Sequence, residues 1–329
     1  MTDKTILIID GDLVAYVNSA AVEKRKVEVT HKPSGRVKEF GTRTDFKESL
    51  NKKNFEFKPD DYEYRDIQIP GLFSLVERNI SNLFGKLKEV CWPDTIEIYQ
   101  GEDSVLFRHE LPLPTPYKDN RSSTKPIMLR DTQQMLYNKY DAKPVRYIET
   151  DDMITIRAYE ELAKGNIPVI ATIDKDAMQS QGVGILNWND DKLEVKYIDS
   201  LGEIHKHKTT YKGSGIKFLA YQALAGDPTD TYKPYDLSTI PYGPARAFKA
   251  IDPCKTEKEV LEVLISEYKR MFPGKHHYTS HNGVEVIADW KLMLRIYWQC
   301  AYMMRSHDDK SNFWDYASKY GIRKEDYDS

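Results

Sequence analysis

Cysteine is scarce in this 329-residue chain: Cys91, Cys254 and Cys300 lie far apart and are odd in number. They give neither a zinc spacing nor a disulfide framework, which fits a reducing compartment. Long hydrophobic runs are missing too. The most apolar stretch near the C-terminus, Met293 to Met304, is broken by Arg295 and bounded by Lys291 and Arg305, too short and too charged to cross a bilayer. The opening MTDKTILIID runs straight into a strand-like segment with no h-region or cleavage site, so no signal peptide is expected. There is no internal repeat and no low-complexity tract. A cytoplasmic protein without a membrane partner is the expectation. The net charge of −3 neither requires nor excludes nucleic acid.

What the chain does have is a recurring set of acids. Asp10 (ILIIDGD), Asp103 (EIYQGED), Glu149, Asp151 and Asp152 (YIETDDM), Asp174 and Asp176 (VIATIDKD), and Asp227 and Asp230 (LAGDPTD) form five short clusters. Three of these follow apolar runs that read as strands: TILII, TIEIY and IPVIATI. Any one cluster is as easily a solvated pair or a helix cap. Brought together, so many carboxylates raise one another's pKa and need compensation, ordinarily by divalent cations. Oxygen ligands without His or Cys point to Mg²⁺ or Mn²⁺. Residues two apart on a strand share a face, so Asp174 and Asp176 can both face one metal from a strand end, and Glu149 and Asp152 can converge at a helix start.

Between the second and third clusters, residues 104–147 carry Arg108, Lys118, Arg121, Lys125, Arg130, Lys139, Lys143 and Arg146 against four acids, a local excess of four positive charges. Pro112, Pro114 and Pro116 make its start extended, and a helix is predicted over 126–140. Further helices are predicted over 71–90 and 151–165, and from about Ile216 onward in KFLAYQALAGD, YGPARAFKAI, EKEVLEVLISEYKRMF and VIADWKLMLRIYWQCAYMMR. Strands are predicted at 5–9, 95–99 and 167–173. Residues 24–69 read as a surface insert: two strands joined around Pro33-Ser34-Gly35, then a polar stretch from Thr42 to Asp66. A hairpin is predicted around Ser200-Leu201-Gly202. His276, His277 and His281 read as loop histidines rather than zinc ligands, and Trp290, Tyr297, Trp298 and Trp314 as helix core.

Taken in order, IIDGD, GED, YKDNR (Tyr117 to Arg121), IETDD, IDKD and AGDPTD resemble the 5′ nuclease family of flap endonucleases and phage 5′→3′ exonucleases. IDGD alone is also similar to a haloacid-dehalogenase phosphatase, but that pattern expects Thr where Val14 stands. The 5′ nuclease resemblance covers roughly residues 5–15, 95–180 and 216–252. It implies an α/β, PIN-like fold: a mainly parallel sheet flanked by helices, with a helical arch and a C-terminal helical helix–turn–helix region. The implied domains are a nuclease core at 1–225, including the 24–69 insert and the 104–147 arch, and a duplex-binding region at 226–329.

The resemblance also implies roles. One metal would be held by Asp10, Asp103, Glu149 and Asp151, and a second by Asp174, Asp176 and Asp230, with Asp152 and Asp227 at the margins or acting through water. Lys118 and Arg121 would contact the scissile phosphate, and the same acids would share the catalytic role. Tyr117 would stack on an unpaired base, while Arg108, Lys125, Arg130, Lys139, Lys143 and Arg146 would form an arch that tracks a single strand. Arg246 and Lys249 would meet duplex DNA. The family's helix–turn–helix often holds K⁺, but here Thr231 and Tyr232 stand where Asn is common, and only Gly243 remains of the Gly-rich turn. The expected substrate is DNA with a 5′ end or flap, or the RNA of an RNA–DNA hybrid. A monomer working alongside replication proteins is implied. The rivals are a PIN-like ribonuclease and a non-catalytic structure-specific DNA-binding protein.

Overall fold

Ile6 to Ile9 are apolar throughout, a pattern suited to a strand covered on both faces, and they lie at the centre of the main sheet. The computed structural model describes residues 3–53, 55–102, 106–120 and 124–327. The chain begins β1 (Thr5–Asp10), α1 (Gly11–Val22), β2 (Lys24–His31), β3 (Arg36–Phe40), α2 (Arg43–Asn51), β4 (Tyr62–Ile69), α3 (Phe73–Cys91) and β5 (Thr95–Gly101). It continues α4 (Leu129–Tyr140), β6 (Lys143–Val145), α5 (Thr150–Ala163), β7 (Ile167–Ala171), a 3₁₀ turn at Lys175–Gln179, β8 (Gly184–Leu186) and β9 (Lys196–Tyr197). Then come β10 (Ile204–His207), β11 (Thr210–Gly213), α6 (Gly215–Ala225), α7 (Pro244–Ile251), α8 (Glu257–Met271), β12 (His276–Thr279), β13 (Glu285–Ala288), α9 (Trp290–Ala301) and α10 (Phe313–Ser318). The chain packs as two units, one of residues 1–12, 86–123 and 141–329, the other of 13–85 and 124–140.

The larger unit is built on a sheet of order β6-β5-β1-β7-β8-β9. All its pairings are parallel except the last, where β9 runs antiparallel to β8. Leu7 of β1 lies opposite both Ile96 of β5 and Val169 of β7, so the strand order diverges on either side of β1. In such sheets the crevice beyond the strand C-termini at the divergence is where ligands bind, and Asp10 ends β1 there. Helix α5 packs on β1, β5 and β7, sealing a core of Ile6, Ile8, Ile154, Ala158, Ile170 and Ile185. The expected mainly parallel α/β sheet is thus present.

A second core gathers α6 to α9. Every residue of α6 is buried, as a helix apolar nearly all round must be; its one cation, Lys217, donates to the Asp252 carbonyl at 2.7 Å. Two local expectations fail here. The hairpin turns between His207 and Thr210, not around Ser200-Leu201-Gly202. The run VIADW is not helical at its start, because Glu285–Ala288 pairs with His276–Thr279 and α9 begins only after Asp289, whose side chain accepts from Leu292 N. His276 and His277 therefore sit on a strand, not in a loop.

The smaller unit contains the antiparallel sheet β3-β2-β4. The stretch from Thr42 to Asp66, read as polar surface, folds into α2 and part of β4. Thr42 and Asp45 close a capping box at the helix start. Phe46 is buried from α2 against Val27 and Val29, with Tyr62 edge-on at 4.8 Å. Burying that one ring contributes roughly 1.5–3 kcal/mol. Helix α4, within the segment expected as an arch, belongs to this unit, where Thr132 bonds Ser19 at 2.8 Å.

Candidate active site

The DGD motif shows how the sheet edge is fixed. Asp10 is buried, and Thr172 donates to its Oδ2 at 3.1 Å. Asp12 faces another way: it accepts from Gly101 N at 3.1 Å and from Thr150 Oγ1 at 2.6 Å, tying the ends of β5 and α5 to the start of α1. Gly11 between them is required by space, since a Cβ there would lie 2.6 Å from the Tyr99 carbonyl oxygen.

The third and fourth acid clusters meet at this edge. Asp151 stands in the first turn of α5, where the helix dipole favours negative charge. Its carboxyl is nevertheless pushed well above the usual range, first by burial and then by Asp174, Asp10 and Glu149, with Lys118 opposing. Asp174 caps the 3₁₀ turn, accepting from Asp176 N at 2.9 Å. Asp176 is likewise pushed well up, by burial first, then by Asp174, Asp227 and Asp230, while Lys175 pulls down. Asp174 thus lies in the field of both groups: Asp10, Glu149 and Asp151 on one side, and Asp176, Asp227 and Asp230 on the other.

The second group is close enough to share an ion. Asp176, Asp227 and Asp230 are all buried and each offers a carboxylate oxygen within 4.8 Å of the others. Among the described residues this is the group of three or more His, Cys, Asp or Glu side chains so placed. The donors are hard oxygens only, a set that fits Mg²⁺ or Mn²⁺. Asp227, expected at the margin, belongs to this trio together with Asp230. The GDPTD loop is held by its own turn: Thr229 N donates to Asp227 Oδ1 at 2.8 Å, and the backbones of Asp227 and Tyr232 pair.

YKDN packs onto that loop. Asn120 Nδ2 donates to the Pro228 carbonyl at 2.8 Å, and Lys118 N to the Asp230 carbonyl at 2.9 Å. Lys118 has φ of +60°, a left-handed conformation that is uncommon for a non-glycine residue. Its ammonium bonds Glu149 and lies 3.9 Å from Asp230 Oδ1.

Two expected surface residues prove to be core. Tyr117, read as a base-stacking ring, is 4% exposed, donates from Oη to Asp230 Oδ2 at 2.9 Å, and stacks on Tyr232. Arg108, read as part of a strand-tracking arch, is 0% exposed. All five of its N–H donors are used: Nε on the Gln299 carbonyl, Nη1 on Glu149 and Asp152, and Nη2 on Asp152 and the Tyr302 carbonyl. It neutralises acids instead of meeting phosphates. Asp152 is correspondingly committed, with both oxygens on Arg108 and Oδ1 also accepting from Met304 N.

Asp103 and Arg121 lie outside the described residues. Lys125 and Arg130 are exposed and belong to the smaller unit. Of the other basic residues between 104 and 147, Lys139 pairs with Glu77, Lys143 with Glu97 and Arg146 with Glu102. Arg246 and Lys249 lie three apart on α7, which starts at Gly243-Pro244; Arg246 also donates to the Pro241 carbonyl. Three contributors went unread in the sequence. Gln222 of α6 donates to Asp176 Oδ1 at 2.6 Å. Lys175 meets Asp227 Oδ2 at 2.6 Å. Gln179 binds both the Ala301 carbonyl and Met303 N. Lys175 was legible as the cation inside IDKD, whereas nothing local marked Gln222 or Gln179.

No family model and no curated protein sequence matches this chain. Among solved structures, a phage T5 5′-exonuclease with bound zinc is similar over 90% of this chain and 89% of its own, at 14% identity and a TM-score of 0.47. The T5 D15 protein co-crystallised with metal ions is similar over 80% of this chain and 79% of its own, at 14% identity and a TM-score of 0.45. A bacteriophage T5 flap endonuclease in complex with DNA and metal ions covers 80% of this chain and 88% of its own, at 13% identity and a TM-score of 0.42. At such values the reading of the site rests on its own residues. No helix among the described residues is long and apolar enough to cross a membrane.

Proposed function

We propose that this chain is a divalent-metal-dependent 5′ nuclease that hydrolyses phosphodiester bonds at 5′ ends or 5′ flaps of DNA, and also the RNA strand of RNA–DNA hybrids. The observation that carries the reading is the convergence of Asp176, Asp227 and Asp230 within 4.8 Å, with Lys118 of YKDN reaching the rim of the same acids. Seven acids in one crevice cannot all stay ionised without further cations, because Lys118, Lys175 and Arg108 bring three positive charges against them.

In this reading Asp176, Asp227 and Asp230, with Asp174, would hold one Mg²⁺ or Mn²⁺. Asp10, Glu149 and Asp151, with Asp103, would hold the other. When bound, such cations activate water and offset the charge gathering on a scissile phosphate. Lys118 would shift from Glu149 to the phosphate, as a compact point charge on a flexible stem can. Arg121 would add a bidentate grip. Tyr117 and Gln222 orient Asp230 and Asp176 by hydrogen bonds and meet no substrate. Arg246 and Lys249 on α7 would hold duplex, within a duplex-binding region at 226–329, and Lys125 and Arg130 would contact the single strand.

The test is product-length analysis on a 5′-end-labelled DNA flap, a 5′-blocked flap and a structured RNA, each with Mg²⁺ or EDTA. Mg²⁺-dependent release from the DNA substrates is expected, reduced at least about a thousandfold in Asp174→Ala. Full cleavage by that variant, or cleavage of the structured RNA alone, would overturn the reading.

A further inference from the structure

Each acid of the close trio has a side-chain partner within 3 Å, and these three partners differ in kind, with the Lys118 ammonium farther off, 3.9 Å from Asp230. Gln222 gives Asp176 an amide N–H and Tyr117 gives Asp230 a phenol, and both partners are buried. A neutral donor of this sort orients a carboxylate and leaves its charge in place, the usual relation of an outer partner to a metal-binding acid. Asp227 is different. Its partner is an ammonium, Lys175 Nζ at 2.6 Å, on a side chain that is 50% exposed. Lys175 sits in the 3₁₀ turn between Asp174 and Asp176, so its backbone is fixed by the site while its four-carbon stem opens to water. A full positive charge at that position neutralises what a divalent cation would neutralise.

We propose that Lys175 is a tethered counter-cation of the Asp176–Asp227–Asp230 cluster. It occupies the Asp227 side of the cation-free protein, swings into solvent when a divalent cation arrives, and so sets the concentration at which the cation is taken up. This rests on the proposed function in one respect, that the trio binds a cation. The two can be separated by experiment.

Mn²⁺ is titrated calorimetrically into the wild-type chain and into Lys175→Met, Lys175→Gln, Lys175→Arg and Asp230→Asn, and each cation-free protein is melted. Lys175→Gln can keep a hydrogen bond to Asp227 without the charge, which guards against loss of folding in Lys175→Met. Both neutral variants should bind Mn²⁺ roughly tenfold more tightly, the size expected on removing one half-exposed charge at contact distance, and should melt lower than wild type without cation. Lys175→Arg should stay within roughly threefold of wild type, because it keeps the charge. Unchanged or weaker Mn²⁺ binding in both neutral variants overturns the tethered-cation inference and leaves the nuclease reading standing. If wild type and Asp230→Asn bind Mn²⁺ alike, the trio holds no cation, and both fall.

Discussion

Replacing Arg108 by Ala should be among the costliest single changes in this protein. The guanidinium is fully buried and all five donors are used, on two carboxylates and two backbone carbonyls. Removing it leaves Asp152 buried with the Met304 N–H but without its cation, and takes one cation from Glu149, which keeps Lys118. Breaking a buried ion pair from one side costs about 3–5 kcal/mol, because the surviving charge loses its compensation. The Gln299 and Tyr302 carbonyls lose their guanidinium donors as well, so about 4 kcal/mol is expected. All five tryptophans, Trp92, Trp188, Trp290, Trp298 and Trp314, belong to the unit that contains Arg108. Tryptophan fluorescence in urea therefore reports the melting of that unit alone. With a slope of roughly 2–3 kcal/mol/M for a unit of this size, the midpoint should fall by roughly 1.3–2 M. Adding Asp152→Asn to the variant should recover part of the loss, since one stranded charge is removed. A cost below about 1 kcal/mol, or no recovery in the double variant, would refute the ion-pair account.

Gly11→Ala places a Cβ 2.6 Å from the Tyr99 carbonyl; the strand end must shift, costing roughly 1–3 kcal/mol, and Mg²⁺-dependent cleavage should fall more than stability does, as paired melting and activity assays would reveal. Glu97 is held down at about 2, chiefly by Arg157 and also by Tyr99 and Lys143. A folded-state pKa below the unfolded value of 4.5 contributes stability that is present above pH 4.5 and is lost as pH falls through about 2. Glu97→Gln should therefore cost about 1–2 kcal/mol near pH 7, after allowing for solvent screening, and converge with wild type near pH 2; a pH-independent difference in chemical denaturation would disprove it.

What the sequence made legible was local or periodic. The apolar run of β1, the helical spacing of α5 and the order of the acids all depend on neighbours within a few residues. Arg108 and Tyr117 were misread because their surroundings in sequence, between prolines and basic residues, suggest surface. Their partners lie far off: Gln299 and Tyr302 are 191 and 194 residues from Arg108. No local pattern carries such contacts. The strand at Glu285–Ala288 was absorbed into a helix because VIADW followed by an apolar run fits either period over so short a window; the Asp289 cap, which decides the matter, is a single side chain.

The central position of β1 has a consequence for how the chain is made. Its two neighbours are β5, starting at Thr95, and β7, starting at Ile167. β1 therefore leaves the ribosome before either neighbour and must wait for both edges to be covered. At synthesis rates of roughly 5–20 residues per second, β7 follows roughly 8–30 s later. Until then TILII keeps at least one uncovered edge, the kind of apolar segment that chaperones shield or that is lost to aggregation.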